Sequence, residues 1–127
     1  MDYTIKNLTE TADSAVKFGF SDMGEAHFAR EELDAADTGI SYQVLKPGKR
    51  QAFGHRHDKA EEVYVVVSGS GRVRLDDEIV EIARLDAIRV APNVTRAFEA
   101  GDDGLEYVAV GPHHDKDGEL DKEFWTD

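Results

Sequence analysis

Residues 54–69 read Gly54-His55-Arg56-His57-Asp58-Lys59-Ala60-Glu61-Glu62-Val63-Tyr64-Val65-Val66-Val67-Ser68-Gly69. A valine-rich run closed by glycine has the composition of a β-strand. Side chains two apart on a strand share a face, so His55 and His57 point one way and Arg56 the other. Asp58 to Glu61 turn the chain back. Glu62 then opens the next strand and faces the same interior, with Tyr64 and Val66 in register behind it. Two imidazoles and a carboxylate converge on one small volume, a donor set that suits a divalent ion such as Fe, Mn, Ni, Cu or Zn. An isolated His-x-His pair is weak support for a metal, since surface and hydrogen-bonded histidines are common. The glutamate at this spacing, the valine strand and the glycine turn after it make the pattern far more specific.

Outward from this stretch, β segments alternate with turn signals about every ten residues between Gly39 and Pro112, the rhythm of a sandwich or barrel. Strands are expected at 40–46, 51–57, 62–68, 72–75, 78–83, 87–91, 95–100 and 105–110. Gly69-Ser70-Gly71 reads as a hairpin turn, and Gly101-Asp102-Asp103-Gly104 separates the last two strands. Tyr42 and Gln43 lie on opposite faces of their strand, so only one points inward. Arg72, Arg74, Arg84 and Arg89 alternate with apolar residues and read as a solvated outer face. Upstream, Tyr3 to Leu8 is a candidate outer strand, and Thr9 a candidate cap for a helical turn through Val16. Ala26 to Arg30 is a further strand, and Glu31 to Asp37 a short helix or loop. The acidic tail, 112–127, shows no β rhythm; its Phe124 and Trp125 either dock on the barrel or fray. His113-His114 is expected to face solvent, and His27 stands alone.

A chain of 127 residues is the size of one domain. It has no cysteine, which removes disulfides, thiolate metal sites and cysteine nucleophiles and leaves histidine and carboxylates as the strong metal ligands. The formal net charge of −12 opposes binding to nucleic acid or anionic membranes. The N-terminal residues do not form a signal peptide and no apolar run approaches the ~20 residues of a membrane helix, so the expected location is cytoplasmic. Two Asn-x-Thr triplets, at Asn7 and Asn93, read as chance without a secretion signal. No Ser/His/Asp arrangement or paired-carboxylate hydrolase pattern has the required spacing.

The stretch around His55 resembles the first motif of the cupins, G-x5-H-x-H-x3,4-E-x6-G. His55, His57, Glu62 and Gly69 fit its ligand, carboxylate and glycine positions, while Gly48 matches the leading glycine loosely. The second motif, G-x5-P-x-G-x2-H-x3-N, is echoed from Asp86 to Phe98: Pro92 matches the proline, Leu85 stands where the glycine usually is, and Arg96 occupies the place of the fourth ligand, normally histidine. The resemblance covers roughly Gly39 to Gly111. It implies an all-β fold, an antiparallel cupin-type (double-stranded β-helix, or jelly-roll) barrel, with His55, His57 and Glu62 as metal ligands and a homodimer as the assembly.

Arginine stays protonated and cannot ligate a metal. Two placements are open to Arg96. In one it turns to Glu62 and forms an ion pair in place of the metal. In the other it lies at the mouth, where an anionic substrate bridges it to a metal held by two histidines and a glutamate. Two functions follow. One is a metal-dependent oxygenase- or isomerase-type enzyme acting on a small anionic molecule, with Arg96, Tyr64 and Phe98 as substrate-binding residues. The other is a metal-free barrel that binds a small ligand without turnover. For Tyr64 and Phe98, core packing is the simpler role.

Overall fold

Alternating apolar residues over most of the chain give an almost wholly β architecture. A computed structural model describes residues 1–127. Eight strands follow one another: β1 (Gly24–Phe28), β2 (Thr38–Leu45), β3 (Gly54–His57), β4 (Glu62–Leu75), β5 (Glu78–Ala83), β6 (Ala87–Val90), β7 (Arg96–Pro112) and β8 (Gly118–Asp121). A 3-10 turn (Leu8–Glu10) and a one-turn helix, α1 (Ser14–Phe18), precede them.

All pairings are antiparallel, and β4 and β7 run through the whole assembly as its spine. The N-terminal half of β4 (Val63 to Gly69) pairs with the C-terminal half of β7 (Val110 to Leu105). The C-terminal half of β4 (Gly71 to Leu75) pairs with the N-terminal half of β7 (Ala100 to Arg96). On one side of the molecule the strands therefore run β1-β2-β7-β4-β6, and on the other β8-β3-β7-β4-β5. The sheet folds on itself as a jelly roll.

The Gly69-Ser70-Gly71 and Gly101–Gly104 segments are bends within continuous strands, where the sequence suggested turns between separate ones. The reason is close approach. A Cβ on Gly69 would lie 2.0 Å from the Gly104 carbonyl oxygen, and one on Gly71 would lie 2.1 Å from that of Glu99. The paired strands can cross the corner together only with bare backbone there. Register shifts at Val66/Ser68 and Gly69/Gly71 also switch which residues face inward. Tyr64 and Val66 are buried before the bend and Val73 after it; Phe98 and Ala100 precede the β7 bend, and Leu105, Tyr107 and Ala109 follow it. With Leu45, Ile82 and Val90 these form the core.

Three other expectations change. Tyr3 to Leu8 forms no strand: the outer edge of β1 is met instead at one point by Asp13, which bridges to His27. The caps are Asn7, accepting from the Thr9 N–H at 3.0 Å, and Asp13, accepting from the Ala15 N–H at 2.9 Å, rather than Thr9. The tail is not without β structure, since β8 pairs with β3 and Phe124 is buried. Phe124 lies over Gly54, where a Cβ would meet its ring at 2.7 Å, and the Trp125 indole donates to the Gln51 carbonyl at 2.8 Å. Both tail aromatics dock on the barrel. Residues 31–37 are turns and a bend, and His113 and His114 are exposed as expected.

A histidine–glutamate cluster at the floor of an open cleft

β3 supplies His55 and His57, and β4 supplies Glu62 and Tyr64. The two-residue repeat of each strand aims them into one cleft of about 1450 Å³. His55 Nε2 lies 3.4 Å from Glu62 Oε1, and His57 Nε2 lies 3.2 Å from the same atom. The imidazoles meet edge to face, with centroids 5.3 Å apart. Gly111 leaves room for this: a Cβ there would sit 2.7 Å from the Glu61 carbonyl oxygen and 3.3 Å from Glu62 Cγ.

Arg96 takes the first of its two placements. It is fully buried and its Nη2 donates to Glu62 Oε1 at 2.6 Å. Nη1 donates to the carbonyls of Pro92 (3.2 Å) and Val94 (2.7 Å), and Nε donates to the Tyr64 hydroxyl at 3.0 Å. That hydroxyl in turn donates to Glu62 Oε1 at 2.6 Å. Every contact converges on Oε1, and Oε2 has no protein partner. Burial works against the Glu62 charge, but the His55 and His57 imidazoles, the Tyr64 hydroxyl and the Arg96 cation outweigh it and hold the carboxyl well below its usual range. Burial, reinforced by the neighbouring Glu62 charge, keeps the Tyr64 phenol protonated. Phe98 is fully buried beneath, 4.9 Å from the Tyr64 ring and stacked on Tyr107 at 4.2 Å.

Asp117, in the tail, had no signal of its own in sequence. It is buried and accepts the backbone N–H groups of Lys59 (2.9 Å) and Ala60 (3.0 Å), fixing the turn between β3 and β4. Its Oδ2 lies 3.3 Å from His57 Nδ1. The backbone donors and the nearby His57 keep it ionised at lower pH than usual, despite the opposing effect of desolvation. Both ring nitrogens of His57 are buried, yet neither makes a well-directed hydrogen bond.

These features test whether a metal fits. Ligand bonds of ~2.0–2.2 Å put neighbouring donor atoms on one ion roughly 3.0–3.5 Å apart, and the distances from each histidine to Glu62 Oε1, 3.4 and 3.2 Å, fall in that range. A buried, unpartnered His57 Nε2 offers a lone pair that a metal ion would satisfy. A carboxylate behind the other ring nitrogen is the usual support of a ligating histidine. The three residues fit a divalent ion, with Arg96 as an opposing charge.

Gln43, rather than Tyr42, faces inward. Its Oε1 accepts from the Tyr107 hydroxyl (3.0 Å) and Gln51 Nε2 (3.2 Å), and its own Nε2 donates to Ser41 Oγ (3.2 Å). Tyr42 lies outside, hydrogen-bonded to Glu106 and stacked on His27. His27 is not alone: it is buried, with Nδ1 2.9 Å from the Thr11 carbonyl oxygen and Nε2 2.9 Å from Glu25 Oε1. Desolvation opposes its charge, but Glu25 and Thr11 prevail and raise its pKa. The alternation around Gln43 contained its inward placement, but no pattern in sequence links it to Gln51 or Ser41.

An antiparallel barrel folded on itself with a two-histidine, one-glutamate cluster inside is a double-stranded β-helix protein. The model of the Cupin domain family matches residues 41–111, and the chain belongs to the cupin family. Solved structures agree on the fold. A cupin protein of Bacteroides fragilis is 21% identical, with 91% of this chain and 88% of that one covered and a TM-score of 0.72. The polyketide cyclase RemF of Streptomyces resistomycificus is 16% identical over 99% and 89% of the two chains, with a TM-score of 0.76. Oxalate decarboxylase of Bacillus subtilis is 20% identical with a TM-score of 0.70; 93% of this chain but only 33% of that one is covered. No curated protein matches the sequence.

Proposed function

We propose that this cupin binds a small molecule in its cleft and holds one divalent transition metal there, on His55 Nε2, His57 Nε2 and Glu62. The observation that carries the reading is the spacing of these three donors around the unpartnered His57 nitrogen. A bound ion would supply Lewis acidity at the cleft floor and coordination positions open to a ligand. The oxalate decarboxylase of Bacillus subtilis has Mn(II) centres, so the fold accommodates such ions. The chain's own residues have separate tasks. Arg96 keeps Glu62 ionised, Asp117 orients His57, and Tyr64 holds a hydroxyl proton on Glu62 Oε1. Oxygenase- or isomerase-type catalysis is the active form of this reading.

Purified protein should take up close to one equivalent of Mn, Fe or Zn per chain in elemental analysis, and His57→Ala should abolish it. No stoichiometric ion after reconstitution of the native chain would overturn the metal reading. The second reading, a metal-free ligand-binding barrel, draws on the Arg96–Glu62 pair at 2.6 Å, which satisfies the carboxylate without an ion. That outcome would select it.

We further propose that two copies pair in the cytoplasm through the N-terminal arm and α1. Tyr3, Ile5, Val16 and Phe18 are all more than half exposed, a concentration of large apolar residues that a partner would cover. No helix is long and apolar enough to cross a membrane. Light scattering should give twice the 14.1 kDa chain mass; a monomer at micromolar concentration would refute pairing.

A further inference from the structure

Across β1, β2, β7 and β4, directly opposed residues form rows on the inner face. One row runs Phe28–Ser41–Ala109–Tyr64. Its two central members are small, and its ends are aromatic. Ser41 is two strands from Tyr64, or roughly 10 Å across the sheet. The row is a slot of ring width. Its floor is a methyl and a hydroxymethyl group, one end is Tyr64 with the metal cluster, and the other is Phe28, which is 59% exposed at the open edge. Phe20 and Phe53, in edge contact at 5.8 Å, and Met23 add apolar wall to the same cleft.

The polar groups of the slot are fixed in sense. Gln43 Oε1 is occupied by two donors, so its amide cannot be reversed without setting its NH2 against the Gln51 NH2, donor against donor. Of the two Nε2 hydrogens, one goes to Ser41 Oγ. The other has no protein acceptor, and neither does the Ser41 hydroxyl hydrogen. Both residues line the cleft. Beside Ser41 and Gln43 the wall thus offers two neutral donors, while the lining carboxylates of Glu25, Glu31 and Glu32 belong to exposed residues. No free guanidinium accompanies them: Arg96 is enclosed and committed to Glu62, Tyr64 and two carbonyls, Arg30 donates to the Ala35 carbonyl, and the remaining lining cation, Lys122, is an exposed residue of the tail.

We propose that the cleft takes a neutral, ring-containing carbonyl compound, its rings in the slot over Ala109 and its oxygen bound by Gln43 Nε2–H and Ser41 Oγ–H. This replaces the anionic substrate that Arg96 suggests in sequence, since that guanidinium is sealed off. The inference rests on the reading of the cleft as a small-molecule site, and it does not require the metal.

Titration calorimetry of the zinc-loaded full-length protein with 1-tetralone, tetralin and 1-naphthoate tests it. Two neutral hydrogen bonds should make 1-tetralone bind about tenfold or more tighter than tetralin, with 1-naphthoate weaker than 1-tetralone. Gln43→Glu keeps the acceptor for Tyr107 and Gln51 but removes the donor, and should cancel the tetralone advantage. Ala109→Leu fills the slot and should weaken both neutral probes at least tenfold with zinc content unchanged. Should that variant fail to fold, Gln43→Glu and Ser41→Ala decide alone. Equal affinity for tetralone and tetralin, tightest binding of 1-naphthoate, or a tetralone preference that survives Gln43→Glu would each overturn the proposal. A protein that shows the tetralone preference but no metal uptake would overturn only the metal reading.

Discussion

At the scale of single residues, Arg96 decides how the site works. Its guanidinium is buried because it is neutralised by Glu62 and because two carbonyls and a hydroxyl absorb its other donors. Removing one partner of such a pair strands the other and typically costs ~3–5 kcal/mol. Arg96→His should therefore do two opposed things. It should lower the unfolding midpoint, since the Pro92 and Val94 carbonyls lose their donors. It should also tighten zinc binding roughly tenfold or more, by removing a nearby positive charge and offering an imidazole. Metal titration and urea unfolding on the same preparation separate the two effects. Unchanged metal affinity would mean that Arg96 does not oppose the ion.

At the scale of elements, the corners of β4 and β7 determine whether the barrel closes. The glycines there differ in what they do. Gly71 is needed because a neighbouring backbone passes 2.1 Å from where its Cβ would be, whereas Gly48, at φ +72°, has nothing within 4 Å. Gly71→Ala should lose about 2–4 kcal/mol in urea unfolding, because two backbones must part. Gly48→Ala should lose only ~1 kcal/mol, the cost of a left-handed φ for a residue with a Cβ. Equal losses would refute close approach as the reason for the bend. The glycines themselves stood out in sequence as turn formers, but a turn between two strands and a bend within one have the same composition. What tells them apart is the partner strand, which lies about thirty residues away in β7.

At the scale of the whole molecule, the N-terminal arm stands apart from the barrel while the C-terminal tail is built into it. The tail supplies β8, the Phe124 cover over Gly54 and Asp117 against His57, so it belongs to the site. The arm has exposed Tyr3 and Ile5 with no sheet edge of its own. Deleting residues 1–7 should halve the mass seen in light scattering without changing metal content. A deletion variant that still pairs would place the interface elsewhere.

Sequence alone determined the strand periodicity, the barrel class and the convergence of His55, His57 and Glu62, because these depend on spacing of two within short stretches and on one tight turn. It left Arg96 with two placements, left open which of Tyr42 and Gln43 points inward, and gave no sign of Asp117, Ser41 or Gln51 as neighbours of the cleft. Those follow from which strands lie side by side: β3 against β7 and β8, and β2 against β7. Such pairings close long loops and are selected by the packing of the folded sheet, so only the tertiary structure could show that the Arg96 cation is enclosed and that the donors left open beside it on β2, from Ser41 and Gln43, are neutral.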